Sequence, residues 1–161
     1  MREALHEARK ALAAGEFPVG CVLVAGGAVI ARGRRRNSAA AAINELDHAE
    51  IVALRDLQAS AKAVDPSQVI VYCTMEPCLM CTATLLLNGI TAVVYGYEDV
   101  MGGSSRLPAE GLAPLYQKMQ VLVTPHVLRS ECLALVRQFF GRPDNAYWKD
   151  SLLARYTLEQ T

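Results

Sequence analysis

Residues 69–97 read VIVYCTMEPCLMCTATLLLNGITAVVYGY, and the fold follows from how this run is divided. Val69 to Cys73 is a short β-branched segment of the kind that forms a buried strand. Pro77 then stands where a helix tolerates proline best, in its first turn, and Asn88-Gly89 closes that helix. Thr91 to Tyr95 returns as a second apolar strand. Residues 77–97 carry no charge and reach the length of a membrane span. Pro77, three threonines and Asn88-Gly89 interrupt the run, so it reads as a buried helix followed by a buried strand, with no membrane association.

Working outward, residues 2 to 14 place Leu5, Ala8 and Leu12 on one face and end before Gly15, which predicts a helix docked by one stripe. Val19 to Ala25 and Ala28 to Arg32 flank Gly26-Gly27, a two-residue hairpin signal. Arg34 to Asp47 reads as irregular. A second helix begins near His48, with Asp47 placed to cap it and Ile51, Leu54 and Leu57 facing inward, and it ends before the loop around Asp65-Pro66. Beyond the central run come a weaker helix over 109–118, a short strand Val121 to Val123, and a helix from Ser130 to Phe140 stopped by Gly141. Strands and helices alternate after the hairpin, so the expected class is α/β, with a sheet that is parallel over much of its extent and helices on both faces. No repeat or linker divides the chain, which reads as one domain over 1–161. The final residues, 142–161, form a C-terminal extension whose Tyr147, Trp148 and Tyr156 predict docking onto the body rather than a free tail.

At 161 residues the chain is the size of one domain. It is 52% hydrophobic and 20% charged, with 16 basic residues against 16 acidic ones. That balance excludes intrinsic disorder and a strongly basic nucleic-acid coat, so a polyanion partner must be gripped locally. Five cysteines are an odd number, and the charged, amphipathic N-terminus lacks the apolar core of a signal peptide. The expected setting is the cytoplasm, with thiols reduced.

Two short segments stand apart from this scaffold, His48-Ala49-Glu50 and Pro77-Cys78-Leu79-Met80-Cys81, both at helix starts. Cys78 and Cys81 are three apart, so their sulfurs emerge on one helical face and can close on one metal ion. The first turn of a helix favours the thiolate form that zinc requires. His48 supplies a nitrogen ligand from the other helix, and both helix starts fall at the sheet edge where open α/β sheets hold their sites. Structural zinc takes four protein ligands, whereas catalytic zinc keeps three and leaves a position to water. Cys73, Cys132 and His126 are the remaining candidates for a fourth ligand. The two thiols sit in apolar surroundings and, with Cys21, read as core residues, which favours the three-ligand site. Glu50 lies two positions from His48 on a different side of the turn, where it can serve as the acid–base group without binding the metal. Taken alone it could simply complement the helix dipole.

His-x-Glu followed by Pro-Cys-x-x-Cys, with 26 residues between Glu50 and Pro77, resembles the zinc deaminases of the cytidine deaminase superfamily. Within it the chain is most similar to the tRNA adenosine deaminases that convert the wobble adenosine to inosine. The segments that carry this likeness are Phe17-Pro18-Val19-Gly20, His48-Ala49-Glu50-Ile51, Thr74 to Cys81, Tyr95-Gly96 with Asp99, and Glu131-Cys132 leading to Phe139-Phe140. The resemblance implies a three-layer α/β/α fold around a mixed five-stranded sheet, one zinc ion per chain on His48, Cys78 and Cys81, and Glu50 as the proton shuttle. It also implies substrate contacts from Asn37, Ala49 and Glu76, and a homodimer.

The chain departs from the family's pattern in the loop before His48. Its Arg34, Arg35 and Arg36, with Arg32 nearby, stand where they can hold the phosphates of an RNA hairpin or merely form a solvated surface. Asn145 to Lys149 can stack on a base or lid the pocket, but more often would pack against the body. Three functions are therefore weighed. The first is wobble-adenosine editing in tRNA. The second is deamination of a free nucleobase or nucleoside such as guanine or cytosine. The third is an idle, zinc-stabilised partner subunit, against which Glu50 argues.

Overall fold

The computed structural model describes residues 1–39, 43–60, 63–106, 111–118 and 121–160. Its elements in chain order are α1 (Arg2–Ala13), β1 (Gly20–Ala25), β2 (Ala28–Arg34), α2 (Ala49–Ala59), a 3-10 turn (Pro66–Gln68), β3 (Ile70–Met75), α3 (Leu79–Leu87), β4 (Ala92–Tyr97), α4 (Pro114–Gln117), β5 (Leu122–Thr124), α5 (Arg129–Phe140) and α6 (Leu152–Glu159). Five strands form one mixed sheet in the order β2-β1-β3-β4-β5. The β1 strand pairs antiparallel with both β2 and β3, while β3, β4 and β5 run parallel.

The β1–β2 connection is the two-residue turn expected, with Gly26 at φ 57° and Gly27 at φ 77°. Positive φ at both central positions matches the twist of the flanking strands. Cys21 pairs with Gly33 and Gly20 with Arg34, so Gly33 and Arg34 face opposite sides of the sheet. The α1 helix lies on the Arg34 side, where its Glu7 meets that arginine at 3.5 Å. The α2 helix lies on the Gly33 side, and a Cβ at Gly33 would collide with the Ala49 carbonyl and the Ala53 amide. Backbone cannot step aside as a side chain can, so this glycine lets α2 settle onto β2. Gly33→Ala is expected to cost about 2–3 kcal/mol and to lower the thermal midpoint by about 4–10 °C. An unchanged midpoint in a melting experiment would contradict this packing.

The run over 77–97 is a helix and a strand, α3 and β4, and no helix among the described residues is long and apolar enough to cross a membrane. Several boundaries moved. Asp47 was expected to cap α2, but the N-cap is His48; the Asp47 carboxylate instead receives the amides of Asn37 and Asn44 and the Arg55 guanidinium. Pro77 was expected inside the first turn of α3, yet Cys78 is that helix's N-cap. The helix expected over 109–118 is one turn, Pro114–Gln117, and residues 109–110 lie outside the described residues. The C-terminal helix α6 was not anticipated. Its signal was Ser151, whose side chain accepts from the Ala154 amide as an N-cap.

The extension packs as expected. Leu153, Ala154 and Thr157 are buried, and the Tyr156 ring stacks on Tyr97 with centroids 6.3 Å apart. Glu98 fastens this end. It accepts from Arg129 Nε at 2.8 Å, from a second Arg129 nitrogen, and from the Tyr156 hydroxyl at 2.7 Å. Burial works to raise its pKa, but the bonds from Arg129 and Tyr156 prevail and hold it down to about 2. A carboxylate depressed in this way contributes stability above its unfolded pKa and loses it as pH falls. Glu98→Gln is expected to cost about 2 kcal/mol, about 4–8 °C in thermal midpoint, at pH 7. The difference from wild type should shrink between about pH 4.5 and pH 2; a difference independent of pH would contradict the ionic role.

Candidate metal centre and its cavity

The N-terminal ends of α2 and α3 meet beside the C-terminal ends of β3 and β4, the edge at which open α/β sheets expose ligand sites. His48 and Cys78, as N-caps, have extended backbone that turns their side chains off the helix axis toward one another. Cys81 projects from the first turn of α3. His48 Nδ1 lies 3.6 Å from Cys78 Sγ and 3.5 Å from Cys81 Sγ, and the three ligand atoms all lie within 4.8 Å of one another. Zn–S bonds of about 2.3 Å and Zn–N bonds of about 2.0–2.1 Å at tetrahedral angles place such atoms roughly 3.6 Å apart. The donor set therefore fits zinc in type and in spacing. The second ring nitrogen of His48 faces Glu45 Oε2 at 3.4 Å, the kind of outer partner that orients a ligating imidazole.

A hydrogen bond from Cys81, with help from His48, holds the Cys78 thiol down to about 4 in spite of its burial. The same contact, together with burial and the nearby Glu50 charge, pushes Cys81 up. Burial works to lower the His48 pKa, but Cys78 and Glu50 raise it. Glu50, the second residue of α2, is buried and accepts from Cys81 Sγ at 3.4 Å. Burial raises its pKa above the usual carboxylate range, the direction that suits a proton-exchanging carboxyl group.

Cys21, Cys73 and Cys132 are buried core thiols, as expected. Among the described residues the metal-ligand cluster includes none of them, and it does not include His126.

A cavity of about 80 Å³ adjoins the cluster, lined by His48, Ala49, Glu50, Glu76 and Cys78 on one side and by Phe17, Arg35, Tyr147 and Trp148 on the other. Ala49 is thus in the cavity wall. Glu76 is in the wall, but its carboxylate is engaged by the Asp99 and Ser105 amides, each at 3.0 Å, and by the Ser105 hydroxyl, so it secures the 99–105 loop. Asn37 does not line the cavity. Its backbone is left-handed at φ 58°, and its side-chain amide donates to Asp47 at 2.6 Å.

Most of the arginine loop is engaged within the chain. Arg32 pairs with Glu3 at 2.6 Å and Arg34 with Glu7 at 3.5 Å, both on α1. Arg35 is buried and pairs with Glu45 at 2.8 Å. Arg36 alone of the four is exposed with no side-chain ion pair among the described residues. Alternation explains the pattern. Arg32 and Arg34 share the β2 face that α1 covers, and Arg35 follows where the strand has ended.

Residues 1–97 match the family described as the cytidine and deoxycytidylate deaminase zinc-binding region. The chain belongs to this family. The deaminase is 33% identical over 140 residues to the tRNA-specific adenosine deaminase of Bacillus subtilis, covering 87% of this chain and 86% of that protein. It is 31% identical over 140 residues to a tRNA-specific adenosine deaminase of Streptococcus pyogenes, covering 87% of both chains. A solved structure from work on A-to-I editing at the wobble position of transfer RNA superposes with a TM-score of 0.71 at 32% identity, over 84% of this chain and 96% of that one. The guanine deaminase of Nitrosomonas europaea superposes with a TM-score of 0.65 at 22% identity, over 84% and 80% of the two chains, a likeness of fold. The mixed five-stranded sheet is thus the cytidine deaminase-like fold, and the protein is a zinc-dependent hydrolytic deaminase.

The aromatic C-terminal segment does two jobs that sequence weighed as alternatives. Tyr147 packs on Phe17 with ring centroids 5.5 Å apart, and together with Trp148, stacked on it at 5.6 Å, it roofs the cavity.

Proposed function

We propose that this deaminase converts the wobble adenosine of a tRNA to inosine, and that His48, Cys78, Cys81 and Glu50 carry the reaction. The observation that carries the reading is the convergence of a zinc-spaced His-Cys-Cys set on a buried Glu50, in a chain 33% identical to a tRNA-specific adenosine deaminase over most of its length. His48, Cys78 and Cys81 would hold the ion. Zinc, when bound, supplies Lewis-acid activation of water at neutral pH. Glu50 takes one proton from the attacking water and gives it to the ring nitrogen, then carries the second, from the hydroxyl so formed on the ring carbon, to the departing amine. The bond to the amino group breaks, ammonia leaves, and a carbonyl replaces it. The ring must be extruded from its stack to reach Glu50.

A second reading, deamination of a free base or nucleoside, is favoured by the internal pairing of Arg32, Arg34 and Arg35, which leaves that loop little charge to offer phosphates. Zinc-loaded protein should release ammonia from an anticodon hairpin with adenosine at the wobble position, forming inosine there. Turnover of guanine or cytosine with an inert hairpin would establish the second reading instead.

The one domain over 1–161 includes 142–161 as an extension that closes the site. The free thiols of Cys21, Cys73 and Cys132 suit the reducing cytoplasm. A homodimer is supported by the groove of about 810 Å³ along α3, lined by Leu79, Leu86, Tyr95, Tyr116 and Leu122, in which Leu79 and Leu122 are exposed. Light scattering should give twice the chain mass, and a monomer at micromolar concentration would reject the dimer.

A further inference from the structure

Arg35 is the residue this fold leaves unexplained. It is 2% exposed, yet it lines the cavity beside Glu50. Two arms of its guanidinium are occupied: one nitrogen donates to the Asn44 carbonyl at 2.8 Å, the other to Glu45 Oε2 at 2.8 Å and, at a long 3.4 Å, to the Tyr147 hydroxyl. Its Nε–H has no acceptor, and it is the one buried side-chain polar atom among the described residues without a partner. Interiors pair nearly all such groups, because an unmade bond leaves the desolvation cost uncompensated. A bound ligand is one way to supply the missing acceptor.

The cavity's size says how the acceptor arrives. About 80 Å³ is well under the roughly 300 Å³ at the lower end of small-molecule sites, so a nucleobase enters only when a wall moves. Tyr147 is the wall over Arg35, its ring centroid 5.8 Å from the guanidinium carbon, and the chain just beyond it is strained, with Trp148 at φ 51° and Asp150 at φ 61°. Outward movement of Tyr147 gives up its long bond from Arg35, its hydroxyl bonds to Glu45 at 3.2 Å and its ring contact with Phe17, while Glu45 Oε2 and the Asn44 carbonyl keep the guanidinium in place. Glu45 also neutralises the cation, so the wall accepts an uncharged ligand. A purine ring nitrogen or a base carbonyl is such an acceptor.

We propose that Arg35 is a substrate-recognition residue: once the Tyr147–Trp148 roof moves aside, its Nε–H donates to a ring nitrogen or carbonyl oxygen of the bound nucleobase. This rests on the deaminase reading of the site and leaves open whether the base belongs to tRNA. The test uses zinc-loaded Glu50→Gln protein labelled with 15N-arginine, in which the Arg35 Nε–H resonance is assigned by its loss in Arg35→Lys. Four probes are added separately: the wobble-adenosine hairpin, adenine, guanine and cytosine. The resonance should move with at least one probe. In the active enzyme, Arg35→Lys should raise KM for that probe by about tenfold, the loss of one charge-assisted hydrogen bond, with kcat changed much less and one zinc per chain. A resonance that stays still with all four probes overturns the proposal, whatever the variant does. So does a wild-type KM in Arg35→Lys, because lysine keeps a cation for Glu45 but has no Nε–H of this geometry. Movement with guanine or cytosine and not with the hairpin keeps Arg35 as the reader of the base and rejects the tRNA assignment.

Discussion

Glu50→Gln is expected to lower kcat by about three orders of magnitude, within the range general acid–base groups contribute, while zinc content stays at one ion per chain. Glutamine preserves the shape of the side chain and can still bond to Cys81, but it has no proton to exchange at neutral pH. The buried position of Glu50 in the first turn of α2, beside Cys81 at 3.4 Å, puts its carboxyl group next to the ligands without making it one of them. Burial raises its pKa, so the group can both accept and return a proton during one turnover. Loss of activity accompanied by loss of zinc would instead make Glu50 a structural support of the metal site. Retained activity would remove it from the mechanism. Ammonia release and metal analysis on the same preparation separate these outcomes.

Removal of zinc is expected to abolish activity and to destabilise the fold, with both restored by adding the ion back. The stability effect follows from linkage: a ligand present at about a thousandfold its dissociation constant contributes about 4 kcal/mol, or about 8–16 °C in thermal midpoint for a chain of this size. Cys81→Ser should reproduce the loss without chelator, since it removes one of two sulfurs that lie 3.5–3.6 Å from His48 Nδ1. The pH dependence has a definite sign. Without the metal, Cys78 holds its thiolate down to about pH 4 while Cys81 is pushed up and keeps its proton. Zinc requires both as thiolates, so binding expels the Cys81 proton and affinity rises with pH. Competition against a metallochromic dye at pH 6, 7 and 8 measures this. An affinity independent of pH would mean that Cys81 is not a ligand.

The contrast between Arg34 and Arg35 sets the limit of what spacing could reveal. Neighbours in a basic run look equivalent in sequence. One of them points from β2 onto α1 and meets Glu7, while the next is buried against Glu45 and Tyr147. Tyr147 lies far along the chain in an extension with no motif, so no local pattern connects it with Arg35. Asn37 stands outside the cavity lining for a related reason: the Arg36 amide bonds to the Asp47 carbonyl and the Asn37 side chain to the Asp47 carboxylate. Its position eleven residues before His48 did not foretell those bonds.

The amino-acid sequence by itself determined the α/β alternation, the Gly26-Gly27 hairpin and the candidate metal-ligand set. Those features depend on period, turn chemistry and ligand type, which act over a few residues and survive any rearrangement of distant parts. Only the tertiary structure decided the antiparallel placement of β1 beside β3, the capping of α2 by His48 rather than Asp47, the engagement of Glu76 with the 99–105 loop, and the joining of Arg35, Glu45 and Tyr147 over the site. Each of these comes from where buried polar groups find their partners. In a low-dielectric interior that choice is made by whichever donors and acceptors the packed layers bring within reach, however far apart they stand in the chain.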